Sequence, residues 1–275
     1  MRYIELHIEV FELEPWREII VTVLAENGAE SFVETKAGCL AYFPENKYPG
    51  IDNCGHLDYK DKIKSVTEKI IEDQNWNASW EKNFEPVFVG DQLAILAPFH
   101  NQNTKHQIKV LIQPQMSFGT GHHQTTWLMS EKLLSLKIKG KTILDMGTGT
   151  GVLAILAEKL GAKKVFAPDI DEWAFNNAVE NCKLNKSQNV LVVHGGAELL
   201  KEQKFDILIA NINKNILIQQ FTDYAKVANK GALLLLSGFF KTDIDELKVA
   251  ALKSGFIFEN SSSKDEWALM ELIKN

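Results

Sequence analysis

Asp145, Asp169 and Asn211, together with a glycine run, are the residues whose types and spacing are suited to holding a ligand. The run is KTILDMGTGTG, Lys141 to Gly151, with glycines at alternate positions 147, 149 and 151. A short apolar stretch precedes it, and Val152, Leu156 and Leu160 follow at helical spacing, so it reads as strand, tight turn and helix start. Glycine permits positive φ in such a turn and lets a ligand approach the backbone. Asp169 comes about 20 residues after the turn, at the end of a second apparent strand (Lys164 to Pro168), the place for a carboxylate that binds a ribose diol. The alternative for Asp169 is a helix N-terminal carboxylate, which Asp171 would supply equally well. Asn211 follows the apolar strand Asp206 to Ala210 and opens Asn-Ile-Asn-Lys. Its amide could accept a hydrogen bond from a ligand, or else it caps the next helix. His122 and His123 invite a metal reading. Adjacent histidines point in different directions, however, and no carboxylate or cysteine stands nearby, so no metal is expected.

These residues need elements to carry them. From Lys141 onward strands (Thr142 to Met146, Lys164 to Pro168, Val190 to Val193, Asp206 to Ala210, Ala232 to Leu236, Phe256 to Glu259, Trp267 to Leu272) alternate with helices (Val152 to Leu160, Asp171 to Asn185, Lys214 to Val227, Thr242 to Lys253). This predicts an α/β fold, a doubly wound and mostly parallel sheet covered on both faces. Asp145, Gly147, Asp169 and Asn211 all fall at carboxyl ends of strands, where such sheets bind ligands. Before it, strands are expected near Pro86 to Val89, Leu93 to Leu96 and Ile108 to Ile112.

The N-terminal part is expected to be a separate small module. Arg2 to Val10 alternates as a strand, and a helix follows between Pro15 and Gly28. Two short strands lie near Glu30 to Thr35 and Leu40 to Phe43, then a loop over Pro44 to Asp58. Asp61 to Glu72 reads as an amphipathic helix with Ile63, Val66, Ile70 and Ile71 inward. The order β-α-β-β-α suggests an abbreviated ferredoxin-like α+β module. The expected organisation is therefore 1–72 as a small domain, 73–82 as a linker, and 83–275 as the larger domain. Trp76 and Trp80 in the linker either dock it on a domain surface or form a hinge.

Composition narrows the function. The chain has 275 residues, 45% hydrophobic and 24% charged, with formal net charge −6. The acidic balance argues against direct nucleic-acid binding and suits a small neutral ligand or a basic protein substrate. No apolar run reaches transmembrane length, so no membrane association is expected. Cys39, Cys54 and Cys182 show no metal-ligand pairing and are expected to be free thiols of a cytoplasmic protein.

The glycine pattern is G-x-G-x-G with Val152 where a dinucleotide fold wants glycine, and no basic residue lies in the turn to meet phosphates. With Asp145 ahead of it, the run resembles the class I methyltransferases that use S-adenosylmethionine. A second segment sharpens this. Pro114 to Thr126, PQMSFGTGHHQTT, lacks apolar periodicity and reads as a loop before a helix starting near His123, placed to close over the ligand. The order F-G-T-G-x-H-x-T-T, D-x-G-x-G-x-G, D-I-D, A-N-I resembles the methyltransferases of large-subunit ribosomal protein eleven, as does WNASWEKNFEPVFVGDQLAILAP. The resemblance covers the chain from about Trp76 onward, and the N-terminal module more loosely. It implies that Thr126, Gly147, Asp169 and Asn211 contact S-adenosylmethionine, with Asn211 orienting the target amine. It also implies that residues 1–72 are the substrate-recognition domain for the ribosomal protein, that its lysine ε-amines and N-terminal α-amine accept the methyl groups, and that the enzyme is a monomer. The competing readings are an RNA or small-molecule methyltransferase on the same fold, a non-catalytic module that binds the cofactor, and a nicotinamide dehydrogenase.

Overall fold

The computed structural model describes residues 2–71, 81, 83–115, 117–200 and 203–275. It divides into two compact units, Met1–Phe84 and Glu85–Asn275. The linker tryptophans Trp76 and Trp80 lie outside the described residues.

The first unit is a four-stranded antiparallel sheet with one helix. Its elements are β1 (Tyr3–Val10), α1 (Trp16–Glu26), β2 (Ser31–Glu34), β3 (Gly38–Pro44) and β4 (Ile63–Ile71), in sheet order β2-β3-β1-β4. The alternation read from the sequence is the observed one: Ile4, Leu6, Ile8 and Val10 are buried, and they pack with Ile20 and Leu24 of α1. The helix expected over Asp61 to Glu72 is instead strand β4, paired with β1 from Tyr3↔Ile71 to Val10↔Ile63. Ile63, Val66 and Ile70 mimic a helical face, but β-branched residues fill this stretch and fit a pleated edge. On an edge strand only part of one face is covered, so the two-residue period is faint. This strand completes the ferredoxin-like order, with three short 3₁₀ turns (Glu45–Lys47, Ile51–Asn53, His56–Tyr59) where a second helix would stand.

The second unit opens with a three-stranded sheet, β5 (Val87–Val89), β6 (Leu93–Leu96) and β7 (Ile108–Leu111). Then come α2 (Gln124–Leu134), β8 (Thr142–Met146), α3 (Val152–Lys159), β9 (Lys164–Asp169), α4 (Glu172–Leu184), β10 (Val190–His194), β11 (Phe205–Asn211), α5 (Lys214–Val227), β12 (Ala228–Phe240), α6 (Ile244–Lys253), β13 (Phe256–Lys264) and β14 (Trp267–Lys274). Seven of these strands form one sheet in the order β10-β9-β8-β11-β12-β14-β13. The first five run parallel; β14 is antiparallel to both its neighbours.

Successive strand residues point to opposite faces. Ile143, Ile207 and Ile209 enter a core with Leu128, Leu133, Leu153 and Leu156, while Leu144, Leu208 and Ala210 enter a second with Leu217, Phe221 and Tyr224. Helices α2, α3 and α4 therefore cover one face, and α5 and α6 the other. The order turns back between β8 and β11, so the strand ends there splay and leave a crevice.

Candidate active site

A cavity of about 550 Å³ lies at that switch point, lined among others by Gly147, Gly149, Asp169, Asn211, Ile212 and Trp267. Its volume is in the range of small-molecule and cofactor pockets, about 300–1,000 Å³. Its walls are built from local chain chemistry.

The glycine turn closes onto the end of β9 through Gly147 N–H and Thr148 N–H, which donate to the Pro168 carbonyl at 3.0 and 3.3 Å. Gly149 has φ of +59°, and a Cβ there would drive into the Phe118 carbonyl oxygen. The turn thus touches the FGTGHH loop backbone to backbone: Thr150 N–H donates to Phe118 O at 2.9 Å and Thr150 Oγ1 to Gly119 O at 2.6 Å. The two signatures, far apart in the chain, are physically one wall. Gly147, at φ +67°, faces Ile212, whose Cγ2 would be 2.5 Å from an added Cβ.

Asp169 is only 8% exposed. Its Oδ2 accepts from Gly149 N–H at 2.8 Å and its Oδ1 from Asp171 N–H at 3.0 Å. Asp171 is the residue that caps α4, accepting from Trp173 N–H and Ala174 N–H. The capping role that competed for Asp169 is therefore filled by its neighbour. Each oxygen of Asp169 keeps a lone pair for a further donor.

The same division holds on β11. Asn213, not Asn211, caps α5 by accepting from Asn215 N–H. Asn211 Oδ1 is buried and, among the described residues, has no hydrogen-bond partner. A buried acceptor left unpaired costs about 1–3 kcal/mol, so its place in the cavity wall points to a donor brought by a ligand.

Thr126 is fully buried on α2, and among the described residues its Oγ1 has no hydrogen-bond partner. Thr125, one residue earlier, lines the cavity, and its hydroxyl lies 2.8 Å from His123 Nδ1. Asp145 stands behind the turn rather than in the wall. It accepts from Thr148 Oγ1 at 2.7 Å, and burial pushes its carboxyl up to about 6, opposed by that hydrogen bond. Its role is to brace the turn. Glu198 accepts from Gly196 N–H at 2.6 Å, so it orders the bend after β10, while Gly195 lines the cavity.

His123 caps α2 and sits between Phe118 and Trp267, with ring centroids 5.1 and 4.6 Å away. Burial lowers its pKa. Among the described residues no group of three or more His, Cys, Asp or Glu could hold a metal ion. The aromatic wall Phe118–His123–Trp267 was not legible as a unit, because its members come from a loop and from β14. Gly238 did carry a signal. A glycine inside a long strand marks a close backbone approach, and a Cβ there would strike the Ile212 carbonyl.

The residues present fit a nucleoside-bearing ligand: a carboxylate with free lone pairs, a glycine turn open to close approach, apolar walls, and an amide oxygen unpaired among the described residues. The comparisons agree. The family model described as ribosomal protein L11 methyltransferase matches residues 15–275. A protein of that name from Phocaeicola vulgatus is 40% identical over 282 residues, covering 99% of each chain. One from Porphyromonas gingivalis is 39% identical, covering 98% of this chain and 97% of that one. The crystal structure of a ribosomal protein L11 methylase from Lactobacillus delbrueckii subsp. bulgaricus superposes with a TM-score of 0.64 at 27% identity, over 70% of this chain and all of that one. The chain belongs to the ribosomal protein L11 methyltransferase family.

Proposed function

We propose that this enzyme transfers methyl groups from S-adenosylmethionine to amines of ribosomal protein L11, the lysine ε-amines and the N-terminal α-amine. The buried, unpartnered Asn211 Oδ1 in the cavity wall carries the reading. S-adenosylmethionine, when bound, supplies a methyl already activated on a sulfonium and leaves as S-adenosylhomocysteine. The protein's work is then to place and desolvate the reactants. Asp169 holds the ribose hydroxyls, and the backbone at Gly147 and Gly149 lies against the cofactor. Thr126 offers its buried, unpartnered Oγ1 to the cofactor from the first turn of α2.

A lysine ammonium, of ordinary pKa about 10.4, has no lone pair and must lose a proton before it attacks. The amine gives its proton to water before it enters, since burial disfavours the charged form; Asn211 Oδ1 then accepts an N–H of the neutral amine and aims the nitrogen lone pair at the methyl. Met146, Ile212, Ile216 and Trp267 line the same cavity and exclude water from the reacting atoms.

The N-terminal unit is the substrate-recognition domain in this reading. Residues 1–84 hold 16 acidic and 9 basic side chains, against 20 and 21 in residues 85–275. The acidic excess is thus confined to the smaller unit, where it favours a basic protein. Cys39, Cys54 and Cys182 are unpaired and buried, as a reducing compartment maintains them, and no described helix is long and apolar enough to cross a membrane. The enzyme acts in the cytoplasm as a monomer, without direct contact to nucleic acid.

Incubation with methyl-labelled S-adenosylmethionine and a mixture of purified ribosomal proteins, followed by mass spectrometry, tests the assignment. Label on L11 amines is expected. No label on L11, or label on other proteins of the mixture only, would overturn it.

A further inference from the structure

On helix α4, Asn177, Asn181 and the C-cap Asn185 are spaced four residues apart and so aligned on one face. Their amides meet the segment Leu111–Gln113, where the chain leaves β7 for the FGTGHH loop. Leu111 N–H donates to Asn185 Oδ1 at 2.9 Å, and Asn185 Nδ2 donates back to Leu111 O at 2.6 Å. Gln113 N–H donates to Asn181 Oδ1 at 2.8 Å, and Asn177 Nδ2 to Gln113 O at 3.2 Å. On its opposite edge Ile112 N–H donates to Leu96 O at 2.8 Å. The asparagine stripe thus serves this segment as a neighbouring strand would.

Asn181 does one thing more. Its Nδ2 donates to Thr150 O at 2.9 Å, inside the glycine turn, and the side chain is fully buried. Thr150 in turn holds Phe118 O and Gly119 O through its N–H and hydroxyl. One amide therefore joins the start of the FGTGHH loop, at Gln113, to the turn against which the loop later rests. Among the described residues the loop's other hydrogen bonds to the turn are at Phe118 and Gly119, so without Asn181 its entry point loses this link to the turn.

We infer that Asn181 is a positioning residue: it sets the glycine turn and the FGTGHH loop in register, so that Gly147, Gly149 and Phe118 face the cavity together. The inference rests on the reading of that cavity as the methyl-donor site. Buried amide bonds of this kind contribute stability as well, so stability alone does not test the role.

Asn181→Asp keeps the acceptor for Gln113 N–H and removes the donor to Thr150. Asn185→Asp makes the same chemical change one helical turn on, removing the donor to Leu111 O without touching the glycine turn. Both variants should lower Tm. Only Asn181→Asp should raise KM and Kd for S-adenosylmethionine, by roughly tenfold, the scale of one buried hydrogen bond, with kcat at saturating cofactor within about threefold of wild type. Equal KM in the two variants overturns the positioning role. Wild-type protein that binds no S-adenosylmethionine by calorimetry overturns the cofactor reading beneath it. Should Asn181→Asp not fold, hydrogen exchange on the wild-type protein decides: saturating cofactor should slow the amides of Gln113 and Thr150 together, and slowing of Thr150 alone contradicts the coupling.

Discussion

Replacing Asp169 by asparagine changes one carboxylate oxygen to an amide and leaves the shape nearly intact. The two oxygens of Asp169 accept from Gly149 N–H at 2.8 Å and Asp171 N–H at 3.0 Å. Each has one lone pair left for a ribose hydroxyl. Hydrogen bonds to a charged group contribute about 1.5–3 kcal/mol each. Asparagine retains one acceptor oxygen, now uncharged, and turns an NH₂ toward a backbone N–H that needs an acceptor. One ribose bond is lost, the other is weakened, and the turn is pushed off its partner. The expected loss of cofactor affinity is about 2–4 kcal/mol, a Kd raised roughly 30- to 1,000-fold. Calorimetric titration with S-adenosylmethionine and S-adenosylhomocysteine measures it, with Tm recorded on the same samples. Both ligands should weaken alike, since they share the ribose. A Kd within about threefold of wild type at unchanged Tm would refute the ribose assignment.

Other residues give independent checks. Asn211→Ala removes the amide oxygen that orients the amine, so kcat should fall by roughly a hundredfold or more while Kd for S-adenosylmethionine moves by less than about tenfold; steady-state turnover near the wild-type rate would exclude the role. Asp145→Asn tests the buried carboxyl behind the turn. Burial raises its folded pKa to about 6, above the unfolded value of about 3.9, so the folded state binds more protons between these values and wild-type stability falls as pH rises through that window. Asp145→Asn should therefore be more stable than wild type at pH 7 by up to about 3 kcal/mol, and the gap should close below about pH 4. Denaturant midpoints at the two pH values read it; a gap independent of pH contradicts the cause.

What was legible in the sequence was what the local backbone dictates. Gly147, Gly149 and Gly151 announce a turn that only glycine tolerates, and alternation between apolar strands and amphipathic helices announces a doubly wound sheet. Asp169 and Asn211 were visible because they end strands. Their freedom to bind was not, since it depends on Asp171 and Asn213 taking the capping roles. Strand β4 escaped because an edge strand buries too little of either face to print a two-residue period. The Phe118–His123–Trp267 wall and the reach of Asn181 to Thr150 escaped for another reason: both join segments distant in the chain, and only the closed tertiary fold brings them together. Thr126 was expected to touch the cofactor from its place in the FGTGHH segment; it is buried in the first turn of α2, beside Thr125, which lines the cavity.

The central claim is methyl transfer to L11, and purified L11 exposes it most directly. Incubated with this enzyme and S-adenosylmethionine, L11 should gain mass in methyl steps, and peptide mapping should place them on lysine ε-amines and the N-terminal α-amine. L11 of unchanged mass, with an enzyme shown by calorimetry to bind S-adenosylmethionine, would contradict the account.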